Sequence, residues 1–121
     1  MPIIKKIIDK LIKKNISIAV AESCTGGLIA NTITKHSGVS KIFSYGIISY
    51  SNKAKSKYLS VSKTNLSKFG AVSKEVAEDM IKGLYENEKT QICISTTGIA
   101  GPNGGTKLKP VGLVYIGIKV N

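Results

Sequence analysis

The sequence predicts an α/β protein, a three-layer α/β/α sandwich around a mostly parallel sheet, on three observations. Short β-branched apolar runs alternate with helical periodicities along the chain, which is how strands joined by crossover helices read. Two of those runs lead directly into glycine-rich turns, and in such sheets ligands gather beyond the carboxyl ends of the strands. With 121 residues, 42% hydrophobic and 21% charged, the chain fits one domain spanning 1–121 with a core of ordinary size.

The elements follow in order. Ile3, Ile4, Ile7, Ile8, Leu11 and Ile12 recur at helical spacing with Lys5, Lys6, Lys10, Lys13 and Lys14 opposite, an amphipathic helix. Positions 16–21 are short, apolar and β-branched, a buried strand. The strand runs into Glu22-Ser23-Cys24-Thr25-Gly26-Gly27, after which Leu28, Ile29 and Ile33 mark a helix ending near 36–38, so Ser23 stands at a strand-to-helix elbow. Positions 42–50 read as a second strand, 51–57 as the start of a helix, and 60–72 as a connection with at most one short turn. Ser73 is placed to cap a helix running to about 85, with Val76, Ala77, Met80, Ile81, Leu84 and Tyr85 on its buried face and Glu78 spaced to pair with Lys82. A buried strand over 91–97, a glycine-rich loop over 98–105 and a long apolar strand over 111–120 complete the reading.

Composition removes several classes. No stretch approaches the roughly 18 uninterrupted apolar residues of a membrane helix, and the lysine-studded start has no secretory h-region; a cytoplasmic location, with no membrane partner, is expected. Cys24 and Cys93 lie far apart and His36 is the only histidine, too few ligands for a zinc or iron site. The net charge of +11 invites a nucleic-acid partner, but all 18 basic residues are lysine, as an AT-rich coding sequence produces. They are scattered, without an arginine-rich arm or an aromatic-basic string, and nucleic acid is not the expected partner.

Two readings of the elbow stay open from the local pattern. Ser23 is exposed at such a turn as a nucleophile, with the amides of Thr25, Gly26 and Gly27 facing a developing oxyanion; or Ser23 or Thr25 only caps the helix. Ala21 and Thr25 stand where a nucleophile elbow has glycines, so an α/β-hydrolase does not follow. With one histidine, a serine nucleophile needs another base. A buried lysine serves when its pKa is lowered, and Lys53, Lys55 and Lys57 follow the second strand beside Tyr50; solvated lysines are the plain alternative. The loop from Gly98 to Lys107 has the glycines to cradle a phosphate with backbone amides, or is a mobile surface loop; it matches neither the Walker A nor the GxGxxG spacing.

Ala21-Glu22-Ser23-Cys24-Thr25-Gly26-Gly27, Tyr50-Ser51-Asn52-Lys53-Ala54-Lys55, Gly70-Ala71-Val72-Ser73, Thr97-Gly98-Ile99-Ala100-Gly101-Pro102 and Lys109-Pro110-Val111-Gly112 with Val114-Tyr115 together resemble the CinA C-terminal domain family. That family includes bacterial amidohydrolases that convert nicotinamide mononucleotide (NMN) to nicotinic acid mononucleotide and ammonia. The resemblance implies no metal and no cofactor, Ser23 as nucleophile, Lys55 as its proton-transfer partner, and Tyr50 as a residue that orients or relays the proton. It further implies a nucleotide held by Thr97, Gly98, Gly101, Gly104 and Gly105, and a homodimer.

The family domain normally continues into a Gly-Asp-Arg motif, a further strand and a C-terminal helix. This sequence runs to Asn121 and contains no arginine, so an uncovered edge of the core and a missing basic group for the phosphate are expected. Three rival functions accompany the amidohydrolase: an inactive or partner-dependent nucleotide-binding remnant that keeps the cleft but lacks turnover without the C-terminal segment; a DNA-associated competence protein; and a thiol enzyme with Cys24 as nucleophile.

Overall fold

A computed structural model describes residues 2–121. Its elements are α1 (Pro2–Lys14), β1 (Ile18–Glu22), α2 (Leu28–Thr34), β2 (Tyr45–Ile48), α3 (Asn52–Leu59), α4 (Lys63–Phe69), α5 (Lys74–Asn87), β3 (Ile92–Gly98) and β4 (Val114–Val120). The strands form one sheet in the order β2-β1-β3-β4. β1 is parallel to both neighbours, and β4 is antiparallel to β3.

Alternation along β1 sorts the core into two layers. Ala19 and Ala21 face Leu59, Val76, Met80, Ile81 and Leu84 of α3 and α5, and Cys93 of β3 joins them. Ile18 and Val20 face Ile8, Ile33, Val39 and Ile42 on the α1 and α2 side. All five residues of β1 are buried, which is why that strand reads as a continuous apolar run rather than an alternating one. This is the predicted sandwich.

Several boundaries differ from the sequence reading. Gly38, at φ 82°, starts a single 3-10 turn at Val39–Lys41, so Ile42 is a buried plug beneath the sheet and the strand begins only at Tyr45. The connection over 60–72 contains α4, capped by the Ser62 hydroxyl on the Asn65 amide at 3.1 Å. Within that helix only Leu66 and Phe69 are large apolar residues, too few for a periodic signal. Gly112, at φ 95°, belongs to a turn ahead of β4. Glu78 reaches back to Lys74 at 3.9 Å rather than forward to Lys82.

β1, β2 and β3 end on the same edge of the sheet, and β4 starts there. The elbow at 23–27, the turn at 49–51 and the loop at 99–113 therefore converge. On β4, one face is bare: Ile116, Ile118 and Val120 are 70%, 66% and 72% exposed. No helix of the structure is long and apolar enough to cross a membrane among the described residues.

Candidate active site

Ser23 and Lys55 meet at this edge. Ser23 follows the last residue of β1 and its amide donates to the Thr96 carbonyl at 3.1 Å, which stitches the elbow to β3. Lys55 sits in the first turns of α3, whose start is fixed by the Ser51 hydroxyl accepting from the Ala54 amide at 3.0 Å. The lysine Nζ donates to Ser23 Oγ at 2.9 Å and to the Tyr50 carbonyl at 2.9 Å. Both side chains are buried, Ser23 at 5% and Lys55 at 1% exposure. Burial holds the Lys55 amine below the ordinary lysine range, with the nearby Cys24 thiol pulling weakly the other way.

The local pattern left Lys53, Lys55 and Lys57 open; only Lys55 is buried, while Lys53 and Lys57 are exposed. The reason is helical geometry. Lys55 and Leu59 are one turn apart on the face of α3 turned to the core.

Tyr50 enters this arrangement differently from the reading above. Its carbonyl accepts from Lys55, and from Ser23 Oγ at a longer 3.4 Å, whereas its side chain is 67% exposed. The backbone, not the phenol, orients the pair. Ser49, just before it, is fully buried, and its hydroxyl has no partner among the described residues.

The elbow amides are not all available to a ligand. Gly26 N–H donates to the Ser23 carbonyl at 3.1 Å, and Gly27 N–H to Glu22 Oε1 at 3.1 Å. The expectation that Gly26 and Gly27 face an oxyanion is corrected accordingly. Cys24 and Thr25 N–H donate to no oxygen among the described residues and lie against the Cys24 sulfur. Burial pushes the Cys24 thiol up, with Lys55 opposing the effect, and a raised thiol pKa works against a thiolate nucleophile.

The remaining candidates divide. Thr97 is buried, and its hydroxyl donates to the Ala71 carbonyl at 2.7 Å, joining β3 to the α4–α5 connection rather than facing a cleft. At Gly98 a Cβ would lie 2.6 Å from the Leu113 carbonyl oxygen and 3.0 Å from Cys24 Sγ, so glycine there lets β3, β4 and the elbow close together. The loop is pinned by Ile99 N–H to the Leu113 carbonyl and Gly112 N–H to the Ile99 carbonyl, at 2.9 and 2.8 Å. Lys109 Nζ anchors it to the Phe69 carbonyl at the end of α4. Gly101 and Gly104, at φ 83° and 92°, shape the exposed tip beside Gly105, and the amides of these three glycines have no acceptor among the described residues.

The sequence reading missed Glu22 and Thr96. Glu22 is 1% exposed, and it accepts from Thr25 Oγ1 at 2.6 Å and from the amides of Gly27, Ile29 and Ala30 at 3.1, 3.0 and 2.9 Å. Thr96 Oγ1 lies 2.9 Å from Thr25 Oγ1. The available signal was an acid ending an otherwise apolar strand, since a buried carboxylate needs several donors. A groove of about 490 Å³ between α3 and α4, lined by Asn52, Lys53, Ser56, Lys57, Lys63 and Leu66, includes neither Ser23 nor Lys55.

Fold and site together define an α/β sandwich that carries a buried serine–lysine pair at the carboxyl edge of its parallel strands. The model of the CinA C-terminal domain matches residues 1–121, and the chain belongs to that family. It is 56% identical over 115 residues to a CinA-like protein of Kosmotoga olearia, covering 95% of this chain and 28% of that one. It is 50% identical over 119 residues to a putative competence-damage inducible protein of Clostridium perfringens, covering 98% and 29%. The chain thus spans under a third of the length of these relatives. Among solved structures, the competence/damage inducible protein CihA of Agrobacterium tumefaciens superposes with a TM-score of 0.94 at 39% identity, over 98% of this chain and 72% of that one. A CinA superfamily protein of Escherichia coli gives 0.91 at 32% identity, over 97% and 68%.

Proposed function

We propose that the chain is a serine amidohydrolase that deamidates nicotinamide mononucleotide to nicotinic acid mononucleotide and ammonia. The observation that carries this reading is the 2.9 Å contact between buried Lys55 Nζ and Ser23 Oγ, because an amine depressed by burial acts as a base where an ordinary lysine stays protonated.

Neutral Lys55 takes the Ser23 hydroxyl proton as Oγ bonds the carboxamide carbon. The oxyanion is met by the Cys24 and Thr25 amides, the elbow donors that no internal oxygen occupies. Lys55 then returns the proton to the departing nitrogen, the C–N bond breaks, and ammonia leaves an acyl-serine. Lys55 takes a proton from water as its oxygen adds to the acyl carbon, then gives that proton to Ser23 Oγ as the acyl C–O bond breaks, which frees the serine and the nicotinate product, whose acid proton passes to solvent. The Tyr50 carbonyl keeps Nζ aimed at Oγ throughout. The free amides of Gly101, Gly104 and Gly105 hold the phosphate.

Ammonia release from NMN by the purified chain tests this. Ser23→Ala is expected to lower the rate at least about 1000-fold, with wild-type release unaffected by a chelator. A folded wild type that binds NMN and releases no ammonia would sink the reading and leave a non-catalytic nucleotide binder.

A further inference from the structure

α2 has no side-chain cap of its own: Gly27, at φ 107°, stands at the cap position, and no side-chain hydrogen bond is made there. The amides a cap would satisfy go instead to Glu22, five to eight residues earlier and on the other side of the serine. One carboxylate thereby ties the end of β1, the elbow hydroxyl of Thr25 and the start of α2 into a single unit. Thr25 also meets Thr96, whose carbonyl receives the Ser23 amide, so the unit is locked to β3 as well. Ser23 is the residue enclosed by it.

We propose that Glu22 is a positioning residue for Ser23: its carboxylate takes up the Gly27, Ile29 and Ala30 amides and the Thr25 hydroxyl, which fixes the elbow so that Ser23 Oγ faces Lys55 and only the Cys24 and Thr25 amides remain to receive an oxyanion. This rests on Ser23 being the nucleophile. Two features argue for more than a structural buried acid. Every hydrogen bond of the Glu22 carboxylate lies in the segment that follows it, from Thr25 to Ala30, while its backbone alone pairs with β2 through the Ser49 amide. The negative charge also sits on the anion-preferring helix start, so no substrate oxygen competes for those amides. The four hydrogen bonds outweigh burial and keep the carboxyl below its ordinary pKa, so Glu22 stays ionised and cannot serve as a proton donor near neutrality.

The test uses Glu22→Gln, which keeps the shape but turns one acceptor oxygen into a donor, and Thr25→Val, which removes one of the four donors. Two readouts are taken: labelling of Ser23 by a fluorophosphonate, which needs no knowledge of the substrate, and kcat and KM for NMN. Glu22→Gln is expected to slow labelling and lower kcat at least tenfold, with KM within about twofold and the pH at which activity appears unchanged, since Lys55 sets it. Thr25→Val is expected to slow labelling a few-fold, and it carries the test if Glu22→Gln does not fold. Wild-type-like labelling in the folded variants overturns the proposal. If the wild type labels at Ser23 but releases no ammonia from NMN, the substrate assignment falls and the Glu22 role is still decided by labelling. If the wild type does not label at all, both fall.

Discussion

Lys55 is 1% exposed, and no carboxylate pairs with it among the described residues. That combination costs stability whenever the amine is charged. Because its folded pKa lies below the unfolded value, the unfolded chain holds the proton more tightly over the interval between the two. Stability should therefore rise with pH from the folded pKa up to about 10.4, the ordinary lysine value, and the penalty should be complete below that interval. Lys55→Met removes this dependence. Urea unfolding of both proteins over a pH series is expected to show the wild type gaining on the variant as pH rises; a difference that stays constant would mean that Lys55 is not depressed. The same titration gives activity its acid limb, and Lys55→Met should lower turnover about 10²–10⁴-fold. Little of this was legible in the sequence alone. Family resemblance pointed to Lys55, but three nearby lysines were equivalent until α3 turned one of them inward.

Among the elements, the contact between α3 and α5 sets where Lys55 stands. A Cβ at Gly83 of α5 would lie 1.8 Å from the Leu59 carbonyl oxygen and 2.7 Å from Leu59 Cα, and backbone at that distance cannot rotate away as a side chain can. Alanine is the better helix former by about 1 kcal/mol, so an exposed helical glycine would gain from the change. Here Gly83→Ala must push the end of α3 outward, one turn from Lys55. The expected result is a net loss of about 1–3 kcal/mol in chemical denaturation and a fall in activity of at least tenfold. Unchanged activity with a stabilised fold would show that the helices separate without moving the lysine. The elements with strong periodicity, α1 and α5, and the fully apolar β1 were readable from pattern. α4 and the turn at Val39–Lys41 were not, because their structure depends on a serine cap and a glycine at positive φ rather than on a hydrophobic repeat. Glu22 escaped for a related reason: its donors come from a backbone that exists only after the elbow has formed.

For the whole molecule, two features oppose each other. The face of β4 that carries Ile116, Ile118 and Val120 is apolar and open, and β4 has no partner on its outer edge among the described residues; such a surface favours self-association. A net charge of +11 repels a second copy, and the three exposed ion pairs among the described residues, each worth about 0–1 kcal/mol, do little to change that. Salt separates the two effects, because at about 0.15 M the screening length is about 8 Å and the repulsion weakens while the apolar attraction does not. The weight-average mass in sedimentation is therefore expected to increase from low to moderate salt. Ile118→Lys should suppress that increase and leave the unfolding free energy within about 0.5 kcal/mol, as substitutions at exposed sites generally do. A mass insensitive to both salt and substitution would show that the +11 charge is not what keeps the copies apart and that the β4 face does not draw them together.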